Sequence, residues 1–315
     1  MELMPNEALA EKLKLEVRGG MFILSPVFCK LKRMKKRLLI SCSGGRTSGY
    51  MTWWLLNEWK ERDEYDIEIV FANTGKEHEG TLEFIKKCSY EWGIKIIWVE
   101  AVPKQSVKGG WWGVGHRIVD FDSASRKGEP FEEMISKLGI PSSSVPFCSD
   151  QLKRKAIESY LKSIGWNDFH KAIGIRANEI DRMNPNFREL KIMYPLIREN
   201  PVNTKMVNDW WKKQPFNLDI PKDLGNCDCC WKKDAKRLVR IAKQHPERYG
   251  WWEEMENKYG QLNPRETELL PPFNFYRGNM SVKDIFKLME MDKRQLRLFS
   301  DEMKLDGCSE SCEPF

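Results

Sequence analysis

Apolar residues occur in short blocks bounded by polar, glycine-bearing turns. The blocks at 38–42, 67–72, 94–99, 171–176 and 191–196 have the length and β-branched or aromatic content of buried strands. Between them, the spacing of apolar positions predicts helices over 47–62, 79–92, 129–138 and 149–163. Strand-helix alternation of this kind implies an α/β fold: a doubly wound, mainly parallel sheet with helices on both faces. Residues 101–128 form a long connection with Gly, Ser and Trp, which reads as a candidate substrate lid. After Asn200 the pattern changes to helices carrying Trp and Lys, a cysteine cluster, a Pro-rich segment at Leu270-Pro-Pro-Phe, and an amphipathic helix near 281–299. Three regions follow: an extension over 1–35, a nucleotide-binding domain over 36–200, and a smaller helical region over 201–315 with a cysteine cluster and tail. The extension starts as a weakly helical, charged stretch and reads as a flexible arm or a nucleic-acid contact; its basic run is by default a solvated face.

The turn after the first apolar block is Ser43-Gly-Gly-Arg-Thr-Ser48. Gly44 and Gly45 permit positive φ and a close backbone approach, and a helix begins directly afterwards. Backbone N–H groups and the helix dipole then form an anion cradle. Ser43, Thr47 and Ser48 add hydroxyls, and Arg46 adds a planar charged fork. The loop is neither a G-x-x-x-x-G-K-[ST] P-loop nor a G-x-G-x-x-G dinucleotide turn. The second block ends in Asn73-Thr74-Gly75-Lys-Glu77, at the carboxyl end of a neighbouring parallel strand, where open α/β sheets bind ligands.

These two turns, with Pro146-Phe-Cys-Ser-Asp-Gln-Leu-Lys153, Gly174-Ile-Arg-Ala-Asn-Glu-Ile-Asp-Arg182 and Tyr194-Pro-Leu-Ile, resemble the phosphoadenosine phosphosulfate (PAPS) reductase-like family of PP-loop ATP pyrophosphatases, in the family's order and over roughly 36–235. The resemblance implies an adenine nucleotide, ATP or a PAPS-like sulfonucleotide, with its phosphates on residues 43–48 and Asn73, Thr74 and Gly75 beside it. It also implies sulfur or thiol chemistry and a thiol or sulfur-donor protein as partner. Arg176 and Arg182 read as an anion clamp oriented by Glu179, and Lys153 as a further positive charge. Adenylating members carry Asp where this chain has Thr47, a carboxylate that assists pyrophosphate release with magnesium. Its loss leans the reading towards the reductase-like branch, which binds nucleotide without splitting it. Two alternatives remain: an adenylating sulfurtransferase acting on tRNA or DNA, and a non-catalytic nucleotide or nucleic-acid binding module with structural zinc.

Composition adds the cysteines. Nine in a chain without a secretory pattern argue for thiol or metal chemistry rather than disulfides. Cys227-x-x-Cys230 has the spacing of a tetrahedral metal site or a redox pair. Cys148, Cys227 and Cys230 with Cys308 or Cys312 would complete a 4Fe-4S cluster, with zinc as the alternative; unligated thiols are the plain reading. Cys148 is also a candidate for the chemistry itself. Cys312, on the tail, matches the mobile nucleophile that the resemblance implies, although the family's Glu-Cys-Gly-Ile-His-type sequence is absent. Cys29, Cys42 and Cys88 read as small core residues. The thirteen tryptophans, many in adjacent pairs, are read first as core. A net charge of +6 is mildly basic, and no apolar run approaches the ~20 residues of a membrane helix, so a cytoplasmic protein without membrane contact is expected.

Overall fold

The computed structural model describes residues 15–18, 21–24, 35–105, 111–142, 146–221, 223–263, 270–291 and 293–302. The chain divides into two units, one ending at Lys36 and one starting at Arg37. In the first, β1 (Leu15–Arg18) pairs antiparallel with β2 (Met21–Leu24), Leu15 opposite Leu24 and Arg18 opposite Met21. Gly19-Gly20 is a composition that two-residue hairpin loops favour. This hairpin is absent from the expectation above, which treated 1–35 only as an extension.

The second unit is built on a six-stranded sheet in the order β6-β5-β4-β3-β7-β8. Its strands are β3 (Lys36–Ser41), β4 (Tyr65–Asn73), β5 (Ile97–Gln105), β6 (Trp111–Val119), β7 (His170–Ala172) and β8 (Ile192–Met193). The β4–β5, β3–β7 and β7–β8 pairs are parallel and β5–β6 is antiparallel. The helices are α1 (Arg46–Asn57), α2 (Glu79–Glu91), α3 (Glu129–Leu138), α4 (Lys155–Ser163), α5 (Pro195–Arg198), α6 (Thr204–Trp211), α7 (Ala235–Gln244), α8 (Gly250–Tyr259), α9 (Val282–Lys287) and α10 (Lys293–Glu302).

Successive strand residues point to opposite faces, and here both faces are covered. Leu38, Ile40, Phe71 and Trp98 pack with Met51 and Leu55 of α1, Phe84 and Ile85 of α2 and Trp211 of α6. Leu39, Val70, Ala72 and Val99 pack with Met134 of α3, Ile157 of α4, Leu238 of α7 and Trp252 of α8. Each fully buried aliphatic side chain contributes about 1.5–3 kcal/mol, so the uninterrupted apolar runs of β3 and β4 are what two-sided burial requires. The helices after α6 share the second core with the strands, whereas α6 packs in the first. Among the described residues no helix is long and apolar enough to cross a membrane.

Four expectations are corrected. Much of the expected lid at 101–128 is sheet: β5 runs on to Gln105, and β6 returns beside it with a register irregularity at Lys104/Gln105. Gly115, which reads as loop, sits where a Cβ would lie 2.5 Å from Lys104 Cε, so the glycine makes room for a cross-strand lysine stem. The expected strand at 171–176 stops at Ala172, and that at 191–196 shrinks to Ile192–Met193 because Pro195 opens α5. The single helix near 281–299 is broken: α9 ends in a 3-10 turn and Met291 is extended before α10.

Glu256 of α8 joins the last helices to the body. Its carboxylate accepts the backbone N–H groups of Phe275 at 3.1 Å and Val282 at 2.9 Å. Burial pushes its pKa up to about 7 from an ordinary value of 4.5. The folded protein therefore holds this proton more tightly than the unfolded chain does. The associated stability is present in acid and is lost as pH rises towards and through about 7. A Glu256→Gln protein should gain in melting temperature relative to the parent as pH rises from about 5 to about 8, measured as paired thermal melts across that window.

Candidate functional site

β3 and β4 lie side by side at the centre of the sheet, so the loops after them are adjacent. In the first, Gly44 has φ +78°, and a Cβ there would lie 2.4 Å from Thr81 Cγ2 on α2. The Ser48 hydroxyl accepts from the Ser43 N–H at 3.2 Å and the Ser43 hydroxyl at 3.0 Å, and donates to the Gly45 carbonyl at 3.0 Å. Both serines thus hold the loop's curl. Gly45 opens α1 with no side-chain cap, and Gly45, Arg46 and Thr47 line a cavity of about 440 Å³. A helix start beside a cavity is a position where backbone N–H groups and the helix dipole favour an anion. Arg46 is also structural, donating to Asn217 Oδ1 at 2.8 Å and the Leu218 carbonyl at 2.7 Å.

The second loop is held by its own side chains. Asn73 donates to Glu100 Oε1 at 2.7 Å and to the Ser125 carbonyl at 2.9 Å, while accepting the Gly75 N–H at 3.2 Å. Gly75 has φ +79°, and a Cβ there would lie 2.5 Å from Ser125 Oγ. Thr74 reaches the cavity, and its N–H and hydroxyl both donate to Glu77 Oε2, at 2.8 and 2.7 Å. Across these loops lies the Gly225–Cys230 segment. Asn226 donates to the Ser43 carbonyl at 2.8 Å, its carbonyl accepts the His78 N–H at 2.7 Å, and Cys227 forms a β-bridge with Glu77. His78 caps α2 by accepting the Gly80 N–H at Nδ1, 3.0 Å away, and burial lowers its pKa, which suits an imidazole that must accept.

Arg176 follows β7 into the cavity, 4% exposed. Its guanidinium donates to Thr47 Oγ1 at 2.6 Å and pairs with Glu179 at 3.0 Å. Cys148 opens a π-helical turn (Cys148–Arg154) that leads into α4 and carries Lys153, and both residues line the cavity with Cys227 and Cys230. The Trp231 indole N–H donates to Cys148 Sγ at 3.4 Å. The remaining lining charges are Lys232, Lys233 and Arg237, and Glu77 is the one acidic side chain among the described lining residues. The described side chains of the cavity wall are thus predominantly cationic.

The structure thus gathers Gly45, Arg46, Thr47, Thr74, Cys148, Lys153, Arg176, Cys227 and Cys230 around one cavity. Ser43, Gly44, Ser48, Asn73 and Gly75 do not line it, because each is used to shape a loop. Arg182 is also outside: it pairs with Glu179 on the side away from Arg176 and is partly exposed. Cys42 and Cys88 are core residues as expected, and burial raises the Cys88 thiol. Cys229 is buried and its thiol is likewise raised, so it takes no place in the cavity wall. Cys29, Cys308 and Cys312 lie outside the described residues. Among the described residues no group of three or more His, Cys, Asp or Glu could hold a metal ion; Cys148, Cys227 and Cys230 line one cavity, and the fourth ligand expected with them, Cys308 or Cys312, lies outside the described residues. Asn226, Lys232 and Lys233 were not anticipated as site residues. Their only signal in the sequence is adjacency to the Cys-x-x-Cys pair.

Gly44→Ala should cost about 2–4 kcal/mol in denaturant unfolding, combining left-handed strain with overpacking against Thr81. Gly93→Ala is the control: φ is +60° but nothing lies within 4 Å, so about 1 kcal/mol is expected.

No protein-family model matches the chain, and no solved structure matches it. Curated relatives do. The chain is 23% identical over 242 residues to the uncharacterized protein MJ0066 of Methanocaldococcus jannaschii, covering 73% of this chain and 43% of that protein. It is 22% identical over 309 residues to MJ0973 of the same organism, covering 93% and 64%. It therefore spans less than two thirds of either archaeal protein. With the uncharacterized nin region protein ORF290 of Escherichia phage lambda it shares 32% identity over 290 residues, 88% of this chain and 94% of the phage protein. Likeness at that level along nearly the whole of both chains is that of one family, and the chain belongs to the family of the phage lambda nin region protein ORF290.

Proposed function

We propose that the chain is a PAPS reductase-like PP-loop enzyme that binds an adenine nucleotide and carries out thiol chemistry on it. The observation that supports this reading is convergence. The loop at Gly45–Thr47, the Thr74 turn, the Cys148–Lys153 turn, Arg176 and the Cys227–Cys230 loop are distant in sequence and line one cationic cavity at the carboxyl ends of central strands. Phosphates on the start of α1 would meet Arg176, a buried guanidinium held in place by Thr47 and Glu179. Position 47 carries Thr rather than the Asp of adenylating members, which leans the reading towards binding rather than splitting the nucleotide. In the sulfonucleotide form of the reaction, a thiolate from the wall attacks the electrophilic sulfur. A sulfur–sulfur bond forms, the sulfur–oxygen bond to phosphate breaks, and the nucleotide phosphate leaves with the electron pair. The described thiols that line the cavity, and so the candidates for this attack, are those of Cys148, Cys227 and Cys230.

Calorimetric titration with ATP and with an adenosine phosphosulfate tests the reading. The parent protein should bind at least one of them, more weakly as salt rises. Arg176→Ala should lose about tenfold or more in affinity, the worth of a charged hydrogen bond. Absence of binding to either nucleotide would sink the proposal, and release of pyrophosphate from ATP would move the assignment to the adenylating sulfurtransferases.

A further inference from the structure

Glu77 is the cavity's exception. Its side chain is 1% exposed, and it stands among Arg46, Lys153, Arg176 and Lys232 on the wall shared with Gly45 and Thr47. Oε2 is fully engaged by the N–H and hydroxyl of Thr74. Oε1 is buried and accepts no hydrogen bond; Lys153 Nζ faces it at 3.4 Å. A buried carboxylate oxygen without a hydrogen bond is costly unless something occupies it in the working state. Its position is set from two sides, by Thr74 on the other oxygen and by the backbone bridge to Cys227.

We infer that Glu77 Oε1 is the protein ligand of a divalent cation that enters the cavity bound to the phosphates of the nucleotide. The inference rests on the nucleotide reading above and supplies what position 47 lacks: a carboxylate beside the phosphate loop, taken from the end of β4 rather than the start of α1. Magnesium is commonly held by one or two carboxylates together with substrate phosphates and retained waters. One carboxylate in a ring of cations cannot hold the ion by itself, in keeping with the absence of any three-ligand group among the described residues. Cation and nucleotide therefore bind together, each raising the affinity for the other. When the cation takes Oε1, the flexible stem of Lys153 lets its ammonium turn to a phosphate oxygen instead.

The charge of the cavity gives the test an opposed alternative. With no cation ligand, a wall of lysines and arginines favours the metal-free nucleotide, which carries more negative charge. A non-hydrolysable ATP analogue is titrated calorimetrically into the full chain with magnesium or with a chelator. The magnesium form should bind about tenfold or more tightly. Glu77→Gln keeps an amide oxygen for Thr74, and should lose or reverse that preference while binding the metal-free analogue at least as well as the parent. A parent protein that prefers the metal-free form, or is indifferent, overturns the cation site and leaves the nucleotide reading intact. So does a folded Glu77→Gln protein that keeps the preference. No binding in either condition overturns the cation site, and overturns the nucleotide reading as well when adenosine phosphosulfate also fails to bind. The parent's comparison stands alone should the variant fail to fold, and manganese titrated without nucleotide should show no binding.

Discussion

Asn226 donates to the carbonyl of Ser43, 183 positions earlier, and receives the N–H of His78 on its own backbone carbonyl. The glycine loop after β3, the start of α2 after β4 and the cysteine loop are thereby tied at one point. The Glu77–Cys227 bridge next to it extends the tie to the carboxylate of the cavity. Without this junction the two loops would still follow their strands, but the cysteines would have no fixed relation to them. The site is a property of that stitch as much as of the sheet.

Around the stitch, the polar side chains divide between two tasks. Ser43, Ser48 and Asn73 spend their hydrogen bonds on loop shape, and Gly44 and Gly75 accept left-handed conformations in spaces too tight for a Cβ. Thr47, Thr74, Arg176 and Glu77 link the loops to one another and still line the cavity. Rigidity of the first set makes the second set useful, since a group that must reorganise on binding loses part of its interaction to the ordering cost. Arg176 illustrates this. Glu179 and Thr47 hold its guanidinium, and 96% of its surface is withdrawn from solvent, so its charge acts in a medium where it is poorly screened.

The chain itself determined the central strands, the helices flanking them and the two glycine turns. Two-sided burial writes an unbroken apolar run, as in Leu38-Leu-Ile40, and a turn with positive φ writes glycine. These are local constraints, legible one segment at a time. Tertiary structure alone decided the rest. Whether 101–105 and 111–119 belong to a lid or to the sheet edge depended on the antiparallel pairing of β5 with β6. Whether Ser43 and Asn73 face a ligand or their own loop, and whether Arg182 joins Arg176, turned on which partner lay nearer. That Cys148, Cys227 and Cys230 share a wall with Thr47 depends on contacts between residues as far as 183 positions apart. No periodicity records such contacts, because each is chosen by the packing of the whole chain.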